Sequence, residues 1–440
     1  MRKNNILNWI KLSSFIFALS SLFASCSNEL DEALQPVNKG SLQFVVGDFP
    51  AFGEGTQTRA IGTQDEGKTA WANEDKILVH LYSQKYGDQA VTLTFDAENN
   101  TWESDGGTLS YLENETPTIT AVYAPDCEIK SDKTIGLLEG KQYGEAEYIL
   151  ARTTISENSL DINFESGRTY SRLRIAGLAN QTLTVTTTDF TPAGATEVAT
   201  AAYTLTTDNN GNAFLYGVFA EDATVSVKQG DITLKDYTFT AEKNPNGTAH
   251  NKSYALDATP VIDGTLGGKA TAEESDITAL VEQLKAYVDN GITTIIVPGS
   301  QPATIDMGLW INTAIGEAIY RLSKEESYDG KIDLILPDVT EIVDQEFDGA
   351  HALNSINLPK VTTVGDGAFY DCQYLEELTF GSVVTAINHN TRAEFHRVGE
   401  KVEGCDLVLN REQVNAEADY QPNIETRTWW NTEWKSITLK

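Results

Sequence analysis

The sequence predicts a mainly β chain: two tandem antiparallel β-sandwiches followed by a short α/β solenoid. Three observations predict it. From residue 41 to 260, short Thr-rich runs alternate apolar with polar positions between turn residues, the period of half-buried strands. At Thr271 the apolar spacing changes to steps of three and four, the period of an amphipathic helix. From Leu336 a pattern repeats after 22 residues (358 − 336). With 440 residues, the chain is long for one core and has room for several domains.

The first 25 residues read as a secretory signal: a basic start (Arg2, Lys3, Lys11), an apolar run over 12–24, then small residues. That run is short of the roughly 20 apolar residues that cross a bilayer. Phe23-Ala24-Ser25-Cys26 resembles a bacterial lipobox, with Phe23 where Leu is usual. The resemblance implies that Cys26 is acylated, with chains such as palmitate, and begins the mature protein. The other reading is a plain signal with a free cysteine. Residues 26–40 form a tether, and Glu29, Asp31 and Glu32 resemble the surface-export signal of Bacteroidetes lipoproteins. A solvated linker on the periplasmic face is the alternative. The expected location is the outer membrane, lipid-anchored and facing the cell surface.

A net charge of -32 excludes nucleic-acid binding, because phosphate contacts need Lys and Arg. Removing the signal makes the chain more acidic still. Cys127, Cys372 and Cys405 have neither metal-knuckle nor disulfide spacing and read as isolated apolar cysteines.

Residues 41–145 are the expected first sandwich. Leu42-Gln43-Phe44-Val45-Val46 is a short strand, followed by a polar, Gly-rich loop with Thr58-Arg59-Ala60. The run 77–82 is apolar on both faces, hence central in a sheet. Val91, Leu93 and Phe95 alternate with polar residues, and a turn over 96–100 leads to Thr101-Trp102, making a hairpin. Ile119, Ala121 and Tyr123 alternate again before Pro125.

This ordered set of lipobox, first strand, Thr-Arg-Ala loop, Trp71 with 73–77, and Phe95–Trp102 hairpin resembles the fimbrillin family of Bacteroidetes pilus proteins. The likeness extends over 26–258. It implies transthyretin-like sandwiches and cleavage by an Arg-specific protease, here at Arg59. Leu42, Phe44 and Val46 would then belong to a displaced strand, whose groove an extended strand of a neighbouring subunit fills by β-augmentation.

Residues 146–260 are the expected second sandwich. Its strands include 148–150, Leu160-Ile162-Phe164, and Leu173 with Ile175 alternating with Arg174; 183–185, 203–205, 225–227 and 237–239 follow. The run 214–219 reads as interior, and Asn210-Gly211 as a hairpin turn without the acidic offsets of a calcium loop.

Residues 261–440 depart from a pilin. Thr271 with Glu274 reads as a capping box, and Ile277, Leu280, Val281, Leu284 and Val288 form a helix face ending at Gly291. A strand over 295–297 precedes a second helix carrying Ile311, Ala314, Ile315, Ala318, Ile319 and Leu322. Then Leu336, Phe347 and Leu353 recur as Leu358, Phe369 and Leu375. The period is that of a leucine-rich-repeat solenoid. The unit Gly365-Asp366-Gly367-Ala368-Phe369 resembles the BspA-like repeats of bacterial surface proteins. A third unit decays after Phe380, with Val383 and Ile387 roughly in register. Strands at 406–409 and 436–439 complete the ladder, and Trp429, Trp430 and Trp434 cap its open end.

No catalytic constellation emerges, and no cofactor or metal is called for. His396 with Glu394 lacks a nucleophile elbow or a metal-ligand helix. The expected role is adhesion as a minor, tip-type pilus subunit, with other pilus subunits and an extracellular protein or glycan as partners. It would sit in the fimbrium if processed. The alternatives are a stand-alone lipid-anchored adhesin or pilus anchor, and a surface glycan-binding protein using Trp429 or Trp430.

Overall fold

The computed structural model describes residues 42–54, 68–112, 115–156, 159–165, 168–195, 199–242, 247–300, 302–305, 311–388 and 394–440. Cys26, Arg59 and the signal and tether lie outside the described residues. Among those described, the protein is mainly β with two α-helices.

The first sandwich pairs two sheets over one core. Its larger sheet runs Thr101–Ser104, Gly87–Asp96, Lys76–Ser83, Thr118–Tyr123, Ile149–Leu150, all antiparallel. The run 77–82 is central, as its two apolar faces predict. The smaller sheet runs Gln43–Val46, Ser159–Asn163, Arg152–Ser156. Val79, Leu93 and Ala121 of one sheet meet Leu160 and Ile162 of the other.

Here the predicted boundary at 145/146 is corrected. The strands at 149–163 close the first sandwich, because the core left open by the five-stranded sheet is filled by Ile149, Leu160, Ile162 and Phe164. The all-antiparallel expectation also fails locally: Gln43–Val46 runs parallel to Ser159–Asn163.

The second unit is one eight-stranded sheet sharing one core, not two separate sheets. Its long strand, Thr182–Pro192, serves both ends. Residues 182–187 pair with Ala199–Thr206, and 184–187 also with Thr224–Gln229; Phe190 reaches Ala199, and 190–192 pair with Asn212–Phe219. An irregularity between Thr187 and Phe190, with Asp189 at φ 48, turns the strand between the two pairings. Ser171–Ala176 was expected to turn Arg174 to solvent. It is covered on both faces, and Arg172 and Arg174 are buried with it. Arg174 Nη1 donates to Asn212 Oδ1 (2.8 Å) and Arg172 Nε to Ser253 Oγ (3.1 Å).

The third unit is a parallel ladder. Its six strands run in the order Thr294–Ile296, Ile332–Ile335, Leu353–Leu358, Glu377–Phe380, Asp406–Leu409, Ser436–Leu439. Two helices pack on its first rungs, α1 (Glu274–Asp289) and α2 (Ala314–Leu322), through Ile277, Leu280, Leu284, Ile315 and Ile319. The cap of α1 is displaced from the predicted Thr271. Thr271–Ala272 is engaged as a strand against Thr304–Ile305, so the cap moves to Glu273, whose N–H donates to Asp276 Oδ2 (2.9 Å). Gly291 follows the helix at φ 75, where the sequence ends it.

Candidate functional site

Two surfaces carry the residues singled out by the sequence: the N-terminal segment 42–54 and the repeat ladder. Segment 42–54 runs as a strap from the first sandwich to the second sheet. Its strand Gln43–Val46 turns Phe44 and Val46 toward the first core and leaves Gln43 and Val45 exposed; Leu42 lies half-buried just before it. Gly47 N then donates to Ile162 O (2.9 Å), and Trp71 Nε1 donates to Gly47 O (2.9 Å). At the far end, Gly53–Glu54 adds in parallel to Lys252–Asp257, at the edge of the second sheet.

Between those strands the strap buries two rings. Phe49 meets Trp71 edge-on at 4.9 Å and Tyr123 at 5.6 Å, with Lys68 Nζ 5.0 Å from its centroid. Phe52 lies against Tyr170 (6.3 Å) and Tyr216 (6.5 Å), with the Arg168 guanidinium 3.5 Å over its face and that of Arg172 at 4.9 Å. Arg168 donates to Pro50 O and pairs with Glu147; both groups are buried. Lys68 pairs with Asp75 and donates to Tyr123 OH (2.9 Å). Burial pushes the phenols of Tyr123, Tyr170 and Tyr216 well up, so they stay neutral around the cations. Phe49, Phe52, Lys68 and Arg168 carry no sequence signal, since their contacts join segments far apart in the chain.

The repeat-framework residues lie in the core of the ladder. Leu336, Phe347, Leu353, Leu358, Phe369 and Leu375 are all fully buried. Phe347 and Phe369 stack at 5.7 Å, and Phe395 extends the stack at 5.8 Å. Phe395 was missed because the third rung is longer: Leu378 pairs with Leu407, 29 positions on (407 − 378), where Ile356 pairs with Leu378, 22 on (378 − 356). Ile387 does pair in register with Val364, but Val384 rather than Val383 fills the core.

The outer face of the ladder presents Asp333, Ser355, Glu377, Asp406 and Ser436 in one row. These side chains bond along the row, Ser355 Oγ to Asp333 Oδ1 (2.7 Å) and Ser436 Oγ to Asp406 Oδ1 (2.7 Å). The result is a polar, acidic strip suited to hydrogen bonding with a partner.

Trp429 and Trp434 lie buried in the solenoid core, packed there rather than offered as the sugar platform of the alternative reading. Trp430 is half-buried; it stacks on Tyr420 at 5.2 Å and donates to Glu394 Oε2 (3.0 Å). Glu394 is therefore a buried acceptor for Trp430, while the exposed His396 lies against Tyr370 (5.1 Å). Among the described residues, no group of three or more His, Cys, Asp or Glu is arranged to hold a metal ion. Cys127, Cys372 and Cys405 are free, with burial raising each thiol, that of Cys127 to about 11.

No curated protein matches the chain. Among solved structures, a protein named for cell adhesion from Bacteroides fragilis NCTC 9343 is 12% identical, with a TM-score of 0.25 over 50% of this chain and 92% of that one. A fimbrial protein from Bacteroides ovatus ATCC 8483 is 9% identical, with a TM-score of 0.24 over 49% of this chain and 48% of that one. A second protein named for cell adhesion, also from Bacteroides ovatus ATCC 8483, is 13% identical, with a TM-score of 0.22 over 43% of this chain and 83% of that one. Residues 331–397, the regular part of the ladder, match the family model of the BspA type leucine rich repeat region.

Proposed function

We propose that the protein is a cell-surface adhesin: a minor, tip-type pilus subunit joined to its neighbour by strand exchange, with the repeat ladder as its head. The observation that carries this reading is the seating of Gln43–Val46. Among the described residues it is an edge strand, bonded only to Ser159–Asn163, so its departure would leave one unpaired edge for an incoming strand. Cleavage at Arg59 would leave that strand on the fragment that carries an acylated Cys26 and free the rest of the chain from both. The tip position is supported by Ser436–Leu439, which is engaged in the ladder rather than extended for donation. The acidic strip on the ladder is the surface offered to an extracellular protein or glycan.

N-terminal sequencing of the protein from native cells tests this. A start at Ala60, with the chain located at pilus ends, is the expected result. A uniform start at Cys26 on uncut, membrane-held protein would reject the tip position. It would favour the second reading, a stand-alone lipid-anchored adhesin or pilus anchor. One observation supports that alternative: the strap is bonded to both the first sandwich and the second sheet, as a permanent brace would be.

A further inference from the structure

Backbone pairing along a sheet edge is blind to sequence, so whatever the groove under the strap selects must be read by side chains. In the strand itself, Phe44 and Val46 are only half-buried. The buried side chains come later. Phe49 lies between Trp71, Tyr123 and Lys68, and Phe52 between Tyr170, Tyr216, Arg168 and Arg172. Both sockets present cations to ring faces. A ring's electron-rich face is attracted to such cations, which an aliphatic side chain of similar bulk is not. The two sockets also belong to different units: Trp71 and Tyr123 are in the first sandwich, Tyr170 and Tyr216 on the second sheet and just before it.

We propose that the groove recognises an incoming segment by two aromatic side chains three residues apart, following a pair of alternating apolar residues. The segment spans the first sandwich and the edge of the second sheet. This rests on the strand-exchange reading above and adds the partner's chemistry to it. The occupant is an extended segment of another polypeptide with the pattern of Phe44, Val46, Phe49 and Phe52. It carries no Lys or Arg at the socket positions, because Lys68, Arg168 and Arg172 already supply the positive charge there. The carbonyl before the second ring accepts from Arg168, as that of Pro50 does now, and any residue provides it.

The test uses the full chain with a sequence-specific protease site introduced between Glu54 and Lys68, cut in the folded protein. A fluorescent peptide of residues 42–54 is then offered, and its entry is followed by anisotropy. All substitutions are in the peptide, so the protein's folding is untouched. The wild-type peptide is expected to replace the cut strap. A Phe49→Ala/Phe52→Ala peptide should bind at least about 100-fold more weakly, since two buried rings are lost. A Phe49→Leu/Phe52→Leu peptide should fall about 10-fold, the part owed to ring faces over cations. An Ala-pair peptide within threefold of wild type overturns the socket proposal while leaving strand exchange standing. A Leu-pair peptide equal to wild type overturns the requirement for rings. If no peptide enters, wild type included, strand exchange and the sockets fall together.

Discussion

Glu346 shows how a single residue ties the solenoid to pH. It is fully buried, accepting from Thr313 Oγ1 (3.0 Å) and from Val343 N (3.2 Å). Burial outweighs those bonds and raises its carboxyl from 4.5 to about 7. The folded chain therefore holds a proton that the unfolded chain releases between those values. The group's stability contribution is complete below pH 4.5 and declines as pH rises through about 7. The total change is about 3 kcal/mol. Glu346→Gln keeps the shape and removes the titration. Its stability relative to wild type, from urea unfolding, should improve by about that amount between pH 4.5 and pH 8. A difference between the two proteins that is flat with pH would show that Glu346 ionises freely.

The same rungs carry a backbone signature that residue type conceals. Gln345 and Gly367 share a positive φ at one repeat position, and Gly349, Asp371 and Arg397 share one at another. Glycine marks only some of these left-handed sites, so side-chain identity alone reveals the turn in one rung and hides it in the next.

At the scale of elements, the ladder was legible and its irregular end was not. Apolar positions that recur every 22 residues must face one core, so the spacing alone puts Phe347 and Phe369 together, and they stack. The longer third rung breaks that spacing, and a side chain repairs it. Gln413, fully buried, accepts from Val384 N (2.8 Å) and donates to Val384 O (3.0 Å) and Tyr420 O (3.0 Å). It supplies the pairing that a backbone strand would otherwise give. Gln413→Ala leaves those buried groups unpaired and should cost about 3 kcal/mol, read from urea unfolding followed by the fluorescence of Trp429 and Trp434. A loss below about 1 kcal/mol would mean that water takes the glutamine's place.

At the scale of the whole molecule, the repeat ladder is held to the second sheet by a hairpin tip. Thr224–Gln229 and Ile232–Thr238 are joined by Gly230-Asp231. Gly230, at φ 56, approaches Asn290 so closely that a Cβ would lie 2.5 Å from its Oδ1. Asp231 N donates to that same oxygen (2.8 Å), while Ile232 and Leu234 pack on the solenoid core. Leu234→Asp together with Asn290→Ala should uncouple the ladder, visible as a larger radius of gyration in X-ray scattering and a split thermal transition. Unchanged scattering would place the connection elsewhere.

What the sequence determined by itself is everything that has a local period: the strand-rich front, the switch to helices after Thr271, and the 22-residue rungs. Alternation and repeat spacing are properties of neighbouring residues, so they can be read before the chain folds. The tertiary structure decided what depends on residues far apart. Ile149, Leu160 and Phe164 close the first core, Arg172 and Arg174 are covered on a face that reads as exposed, and Phe49 and Phe52 seat among cations from 68 to 172. A side chain buried by a distant segment leaves no pattern in its own stretch of chain, because only the fold determines which surfaces meet.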